Sequence, residues 1–334
     1  MKIAVLFTTN TDLRQVYRKD WQGRDLNDHA FSVMKALSSL GHKPLEYHAN
    51  LNLFKRFKSE KHKLDLVFNL VDDGFYSKSK LEPHVPAILD LLGIRYTGSN
   101  YVGLSLCANK ARAKKIMNYH KIPTPRFQIF YKSDEKICDL RFPLIVKPVE
   151  EDSSVGIRSD SVVKNKTDLR NKIRTVLKDY KQGALVEEFI EGREFNVGVL
   201  GDKKKLVLPV SEISFEGFPK DKPKIINYDA KWNKETIEYT TTNRIFPNIS
   251  DNLRQKLIEC SMAAGDALLC RDYYRVDFRV DVRGRPYVLE VNPNPDISED
   301  AGLAGMAAQA GLNYAQMIDY IIRSARKRKP MIDA

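Results

Sequence analysis

"YRVDFRVDVRGRPYVLEVNPNP", residues 274 to 295, alternates apolar and polar residues on both sides of Arg283-Gly284. A two-residue turn at Arg283-Gly284 joins the two flanks into a β-hairpin. That turn sets Asp277 opposite Glu290 and Arg275 opposite Asn292; a four-residue turn over 282–285 keeps the same register. Residues two apart share a face. Arg275, Asp277, Glu290 and Asn292 therefore point one way, with Val276, Phe278, Leu289 and Val291 alternating around them. Pro293 and Pro295 end the strand, because proline cannot donate to a ladder.

Two carboxylates facing each other across a hairpin repel. A divalent cation removes the conflict. Asp, Glu and an Asn carbonyl are hard oxygen ligands, suited to an ion that shares its sphere with substrate phosphates. The spacing predicts Asp277, Glu290 and Asn292 as metal ligands, with Mg²⁺ the expected ion and Mn²⁺ its alternative. The competing reading is a surface hairpin whose acids pair with Arg275 or Arg279.

Mg²⁺ with phosphates implies a nucleotide. GxxxxGK[ST] is absent, and so are protein-kinase motifs and a GxGxxG after the first strand. Other lysines must hold the phosphates. Lys147 ends the apolar run "FPLIVKP", where an ammonium needs an anion. "EDSSVGI" follows, and Ser153, Ser154 and Gly156 offer hydroxyls and backbone N–H groups. Lys110 sits in the first turn of a helix, an unusual place for a cation beside the helix dipole.

The chain has 334 residues, enough for two or three domains. Its 43% hydrophobic and 29% charged content describes a soluble protein. No run of 18 apolar residues suggests a membrane span, and "MKIAVLFTTNTD" lacks the apolar core of a signal peptide, so the expected compartment is the cytoplasm. The four cysteines form no CxxC pair, and all six histidines lie at or before His120, which argues against structural zinc, a disulfide framework and a histidine triad. The net charge of +12 is spread out, apart from "LFKRFKSEKHK" (53–63) and "RSARKRKP" (323–330), and both read as solvated helix or terminus. Nucleic-acid signatures are absent. The expected partners are small amino-acid or amine substrates, with no membrane; a homodimer is compatible with the sequence.

"KIAVLF" (2–7), a helix in 28–44 that stops at Gly41, "LDLVFNLV" (64–71) and a helix in 82–93 that ends at Gly93 give a βαβα pattern, an N-terminal doubly wound α/β domain. A helix from about Ser105 to His120 follows, then strands in 142–157, 183–201 and "VLPVSEISF". Residues 216–239, polar and rich in Pro and Lys, read as a long loop of the kind that forms lids. A helix near 250–269, the hairpin and a helix near 313–326 complete the chain.

In order and spacing, "RYTGSN", "ANKARAKKIM", "PLIVKPVEEDSSVGI", "LVEEFIEGREFNVGVLG", "YDAKW" and "RVDFRVDVRGRPYVLEVNPNP" resemble the ATP-grasp superfamily and, within it, the D-alanine–D-alanine ligase-like family. The match runs from the first strand to about residue 325. The resemblance implies a three-domain ATP-grasp fold, α/β and α+β, with a first domain over 1–96, a central subdomain over 97–184 and a catalytic subdomain over 185–334. It implies that Lys110 and Lys147 hold the phosphates and that Glu187 meets the adenine amino group. The backbones of Glu188 and Ile190 would read the adenine edge, Glu194 the ribose hydroxyls, and Leu289 would pack on the base. Arg275 would steady an oxyanion, and Lys231 would reach the γ-phosphate from the lid. The implied reaction joins a carboxylate to an amine through an acyl phosphate, releasing ADP.

Three departures stand out. Trp232 occupies the position of the family's lid tyrosine, so its contact with Ser153 loses a hydroxyl. The His-Gly-rich acidic turn of the family is "NLVDDGFYSKSK" (69–80), and no clear counterpart exists for the glutamate that binds the first amino group; Asp25 and Asp28 are the nearest candidates. The small-residue turn and serine that grip the second D-alanine are replaced by "PNPDISEDAGLAG", with Asp296, Glu299, Asp300, Ala301 and Gly302. The expectation is a ligase whose second substrate is not D-alanine but one with a positive group, or one lacking a free carboxylate. The alternatives are a genuine D-alanine–D-alanine ligase and a nucleotide-binding protein without turnover.

Overall fold

The computed structural model describes residues 1–8 and 26–330. In the first domain β1 (Lys2–Phe7) is flanked by two parallel partners, β2 (Lys43–His48) and β3 (Leu66–Asn69), in the order β2-β1-β3. The helices α1 (Leu26–Ser39), α2 (Leu53–Glu60) and α3 (His84–Leu91) connect and cover them. Ile3, Ala4, Val5 and Leu6 are fully buried, as a strand clad on both faces must be. The helix expected in 28–44 with a stop at Gly41 ends at Ser39; Gly41 turns the chain with φ +75°, and the following residues form β2. "KPLEYH" is polar and opens near a proline, so its period reveals no strand; the parallel ladder to β1 supplies what propensity does not.

The helix expected from Ser105 to His120 is two: α4 (Tyr101–Cys107) and α5 (Lys110–Tyr119). Asn109 breaks them, its side chain accepting from the Arg112 N–H as an N-cap at 3.0 Å. Lys110 thereby becomes the first residue of α5. Next come β4 (Phe127–Phe130), β5 (Leu144–Pro148), β6 (Val162–Val163), α6 (Lys166–Tyr180) and β7 (Ala184–Glu188). The strands form an antiparallel sheet ordered β4-β7-β5-β6, closed on one face by Leu169, Ile173 and Val176 of α6.

The chain crosses to a second antiparallel sheet within three residues of β7. Its members are β8 (Gly192–Gly201), β9 (Leu206–Val207), β10 (Ser211–Ser214), and, beyond α7 (Tyr228–Trp232) and α8 (Ile237–Thr240), β11 (Asn243–Ile245). After α9 (Asp251–Ala267) come β12 (Asp272–Asp281) and β13 (Pro286–Asn292), then α10 (Gly302–Gln309) and α11 (Tyr314–Arg326). The order is β11-β10-β8-β12-β13, with β9 on β8. The long loop expected over 216–239 is structured by α7 and the start of α8, each N-capped by its own side chain, Asn227 and Thr236. Leu303, Met306, Ile318 and Ile321 of α10 and α11 share one core with Ile3, Val5 and Leu37, which locks the first domain onto the last.

The hairpin has a different turn from the one its sequence suggests. The Gly284 N–H bonds the Asp281 carbonyl, the Asp281 N–H bonds the Arg285 carbonyl, and Gly284 adopts φ +72°. That is a three-residue loop with glycine in the left-handed position. Phe278 consequently pairs with Val288, one residue out of the expected register. A β-bulge at Leu289 takes up the extra residue, and Asp277 faces Glu290 and Arg275 faces Asn292 after all. Two shifts of one residue cancel.

Candidate active site

A cavity of about 310 Å³ lies between the two antiparallel sheets. The four-stranded sheet supplies Ile145, Lys147 and Glu187; the larger one supplies Glu194, Asn196, Arg275, Asp277, Leu289 and Glu290. The loop 151–157 and the lid residues Ala230 and Lys231 close it from above. Lys110, Ser153, Ser154, Glu188 and Ile190 also line it, whereas Asn292, Trp232, Asp296 and Gly302 stand outside its walls. Asp25 lies outside the described residues. Asp28 falls in α1, and its side chain is likewise outside them.

Glu187 is the hub of the inner end. It is fully buried, with the Lys147 ammonium 2.8 Å from Oε2 and the Lys114 ammonium 2.6 Å from Oε1. The second contact lies off the hydrogen-bond axis, so Oε1 receives charge but no directional donor. Burial works against ionisation, yet the two ammonium groups prevail and hold Glu187 below the usual carboxylate range. Lys114 donates to the Thr124 hydroxyl at 2.7 Å, and that hydroxyl donates to the Val288 carbonyl, tying α5 to β13. Lys114 went unnoticed in the sequence. It lies one turn beyond Lys110, in the buried stripe of α5 with Ala111 and Met117, and a lysine in such a stripe needs an anion.

The outer end centres on the hairpin pair. Glu290 meets Lys110 at 3.3 Å, and Lys110 also donates to the Glu151 carbonyl at 2.6 Å. Burial raises the Glu290 pKa, but Lys110, Lys147 and Arg275 overcome it and pull it down to about 2. Arg275 grips both Asp277 oxygens, at 2.7 and 2.8 Å, and the Asn196 amide adds a third donor at 2.7 Å. The salt bridge weighed against a metal is therefore present. It does not exhaust Asp277: three donors leave one of roughly four carboxylate lone-pair directions. Asn292 Oδ1 accepts the Asn294 N–H at 3.0 Å and keeps a second lone pair. Among the described residues no three His, Cys, Asp or Glu side chains gather as a metal site. The donor set is two carboxylates and an amide, and it fits an ion that takes its other ligands from water and phosphate.

Other groups depart from expectation in detail. The Ser154 hydroxyl donates to the Ile226 carbonyl at 2.9 Å, so it fastens the lid. The Glu188 N–H is taken by the Arg126 carbonyl and the Ile190 carbonyl by Arg279. Arg279 also binds Glu194 at 3.1 Å and the Lys224 carbonyl at 2.7 Å, joining strand, crossover and lid. Burial and the nearby Asp277 raise the Glu194 pKa against the pull of Arg279. Trp232 keeps the lid contact in altered form: its indole N–H donates to the Ser153 carbonyl at 3.0 Å. Ser153, Ser154 and Gly156 all have positive φ, at 55°, 62° and 79°. A Cβ on Gly156 would lie 2.6 Å from the Pro148 ring, so only glycine fits there.

Lys231 projects into the cavity with no hydrogen bond or ion pair among the described residues; its ammonium is 5.4 Å from the Trp232 ring centre. Solvent reaches it through the cavity, yet protein crowds it enough to lower its pKa, with Arg275 pushing the same way. Arg244 of β11, absent from the sequence reading, is a further cation in the wall. Asp296 accepts from the Ser298 N–H at 2.9 Å and from its hydroxyl, and Glu299 and Asp300 are exposed. The wall also carries Arg244, and the field of Asp296 and Asp300 falls on it.

A cleft between two antiparallel sheets, with lysines from both a helix and a strand, a paired acid hairpin and a lid that carries its own lysine, defines an ATP-grasp enzyme. The sequence profile described as D-ala D-ala ligase C-terminus matches residues 116–323. The chain is 32% identical over 301 residues to the D-alanine–D-alanine ligase of Carboxydothermus hydrogenoformans, covering 87% of this chain and 90% of that protein. It is 35% identical over 305 residues to the uncharacterized protein y4sG of Sinorhizobium fredii, covering 90% and 88%. A crystal structure of D-alanine–D-alanine ligase from Bacillus anthracis superposes with a TM-score of 0.74 at 25% identity, covering 98% of this chain and 99% of its own. VanG D-Ala:D-Ser ligase from Enterococcus faecalis shares the fold, with a TM-score of 0.70 at 21% identity over 97% and 99%. The chain belongs to the D-alanine–D-alanine ligase family of ADP-forming ATP-grasp ligases. No helix among the described residues is long and apolar enough to cross a membrane.

Proposed function

We propose that this chain uses ATP to join a carboxylate to an amine through an acyl phosphate, and that its amine substrate is not D-alanine. One observation carries the first part. Lys110, Lys147, Lys231 and Arg275 converge on one cavity, and among the described residues Lys231 makes no hydrogen bond or ion pair. Four convergent cations, one of them a lid lysine with no ion pair among the described residues, suit a polyphosphate. In this reading Lys110, Lys147 and Lys231 hold the phosphates, with the loop of Ser153 and Ser154 folded over them. Glu187 offers its Oε1 lone pair to the amino group of adenine, Glu194 meets the ribose, and Leu289 packs on the base. Asp277, Glu290 and Asn292 would hold Mg²⁺, which supplies positive charge to the transferring phosphoryl group.

The first substrate's carboxylate oxygen attacks the γ-phosphorus, and ADP leaves with the bonding electrons. The amine then attacks the acyl carbon, loses a proton, and phosphate departs. Arg275 and the lysines face the charge that builds on the carbonyl and phosphoryl oxygens, and such preorganised donors are worth ~10²–10³ in rate apiece. The second part rests on Ala301 and Gly302, which bring no hydroxyl to the turn after β13, and on Arg244 in the wall. Steady-state ADP release with Mg²⁺ and ATP, across a panel of amino acids and amines, tests both parts. ADP release should depend on an acceptor other than D-alanine. No acceptor-dependent release at all would overturn the ligase reading, and D-alanine as the best acceptor would overturn the second part.

A further inference from the structure

Arg279 is a buried guanidinium where strand, crossover and lid meet. It follows Arg275 and Asp277 along one face of β12 and lines the same cavity, with 3% of its surface exposed. Glu194 of β8 is its partner across the sheet, and Nη1 donates to that carboxylate at 3.1 Å. Nε donates to the Ile190 carbonyl at 3.0 Å, and the head lies 5.2 Å from the Phe189 ring centre. Both contacts fix the crossover between the two sheets. Nη1 also donates to the Lys224 carbonyl of the lid at 2.7 Å. A rigid fork of donors can serve three acceptors in different directions; a lysine, a single point of charge, cannot.

The lid is pinned on both sides of the cleft. Just past Lys224, the Ile226 carbonyl accepts from the Ser154 hydroxyl at 2.9 Å, and the Tyr228 N–H donates to the Ile157 carbonyl at 3.0 Å. Both of those partners lie in the loop 151–157, which follows β5 of the four-stranded sheet and would fold over the phosphates. Lys224 is held instead by β12 of the larger sheet, through the same guanidinium that holds Glu194. Glu194 is buried and lines the cavity, with Arg279 as its bonded cation. A hydroxyl that donates to Glu194 restrains the carboxylate and polarises its bond to Arg279. The next bond in the chain, from Arg279 to Lys224, then forms at a smaller cost in order.

We propose that Arg279 is a positioning residue that makes lid closure answer to the nucleoside: a ribose on Glu194 steadies Arg279, and Arg279 steadies the lid at Lys224. This inference rests on the reading of ATP use above. A ligand with the same phosphates but no ribose hydroxyls fills the site and leaves the lid less firmly shut.

The test compares ATP with 2′,3′-dideoxy-ATP, each saturating, with Mg²⁺ and the full chain. The readout is the rate of limited proteolysis within 216–240, which needs no acceptor and no turnover. In the parent, ATP should slow nicking about fivefold or more beyond dideoxy-ATP, the low end of ordinary coupling between sites. Arg279→Met should bring the two nucleotides level. A residue that merely props up the fold would raise nicking with both and leave their ratio alone. Arg279→Lys keeps a cation beside Glu194 without the fork. ATP should then still bind more tightly than dideoxy-ATP in calorimetry, while the ratio of their nicking rates shrinks. Equal protection in the parent, or the parental ratio in Arg279→Met, overturns the proposal. Should Arg279→Met lose its cooperative unfolding transition, Arg279→Lys decides alone, and the full parental ratio there overturns the proposal. If calorimetry detects neither nucleotide on the parent, the ATP reading fails and this proposal falls with it. If ATP binds and the two nucleotides protect alike, only the role of Arg279 fails.

Discussion

The two ends of the cavity are wired differently. At the inner end Glu187, Lys114 and Lys147 form a closed set of charges within 2.8 Å, shut away from water. At the outer wall Lys231 and Arg244 have no such partners among the described residues. Closed charge sets are expensive to break and do little until they are broken. Open charges cost little to remove and are where a ligand is read. The fold therefore invests its stability at the end that would hold the base and its selectivity at the end that would meet the substrates.

Glu187→Gln is the harshest way to break that contrast. It keeps the shape and leaves two ammonium groups buried against a neutral amide. Stability should fall by ~3–5 kcal/mol, measured as a shift in the urea midpoint; a loss under ~1 kcal/mol would mean the set is not closed.

Glu290→Gln comes next and acts on rate. Acceptor-dependent ADP release should drop by ~10²–10³, and a variant as active as the parent would remove Glu290 from any metal. The same carboxylate sets a pH dependence. Its folded pKa of about 2 lies below its ordinary 4.5, so it contributes stability that is fully present above 4.5 and lost as pH falls toward 2. Urea midpoints for the parent should decline through that window, and Glu290→Gln should flatten part of the decline.

Trp232→Phe removes only the indole donor to Ser153. The lid should loosen by ~0.5–1.5 kcal/mol. Limited proteolysis within 216–240 should rise several-fold, and ATP with Mg²⁺ should suppress it. Nicking that ignores both the variant and the nucleotide would argue against a closing lid. Smallest of all, Arg244→Met should change stability by no more than ~0.5 kcal/mol. A larger loss in thermal unfolding would show that the open end is closed after all.

Much of this arrangement was legible in the sequence, for reasons that differ by residue. The Asp277–Glu290 pairing followed from alternation, since an error of one residue flips every side chain and leaves a detectable pattern. The turn did not follow, because two- and three-residue loops ending in Arg-Gly read alike. The bulge that repairs the register leaves no local signature. Lys147 announced itself at the end of an apolar run. Lys114 did not, because its need for Glu187 appears only when two sheets close on each other. Arg244 was illegible for a related reason. Its neighbours Gly302 and Gly305 are far away in sequence, and its own segment, "TTTNRIF", reads as plain surface.

The bulge at Leu289 lets two adjacent letters say different things to the same cavity. On a regular strand, neighbours face opposite ways, so an apolar platform beside Glu290 would have to sit two positions off and a full pleat away. With one surplus residue, Leu289 and Glu290 both reach the cavity while Val288 and Val291 stay in the core. Omitting Leu289 would leave Asp277 opposite the glutamate and the rest of the hairpin in step. Counted in codons, the acid pair and the apolar platform are separable by a single deletion, which no single substitution in a regular ladder could achieve.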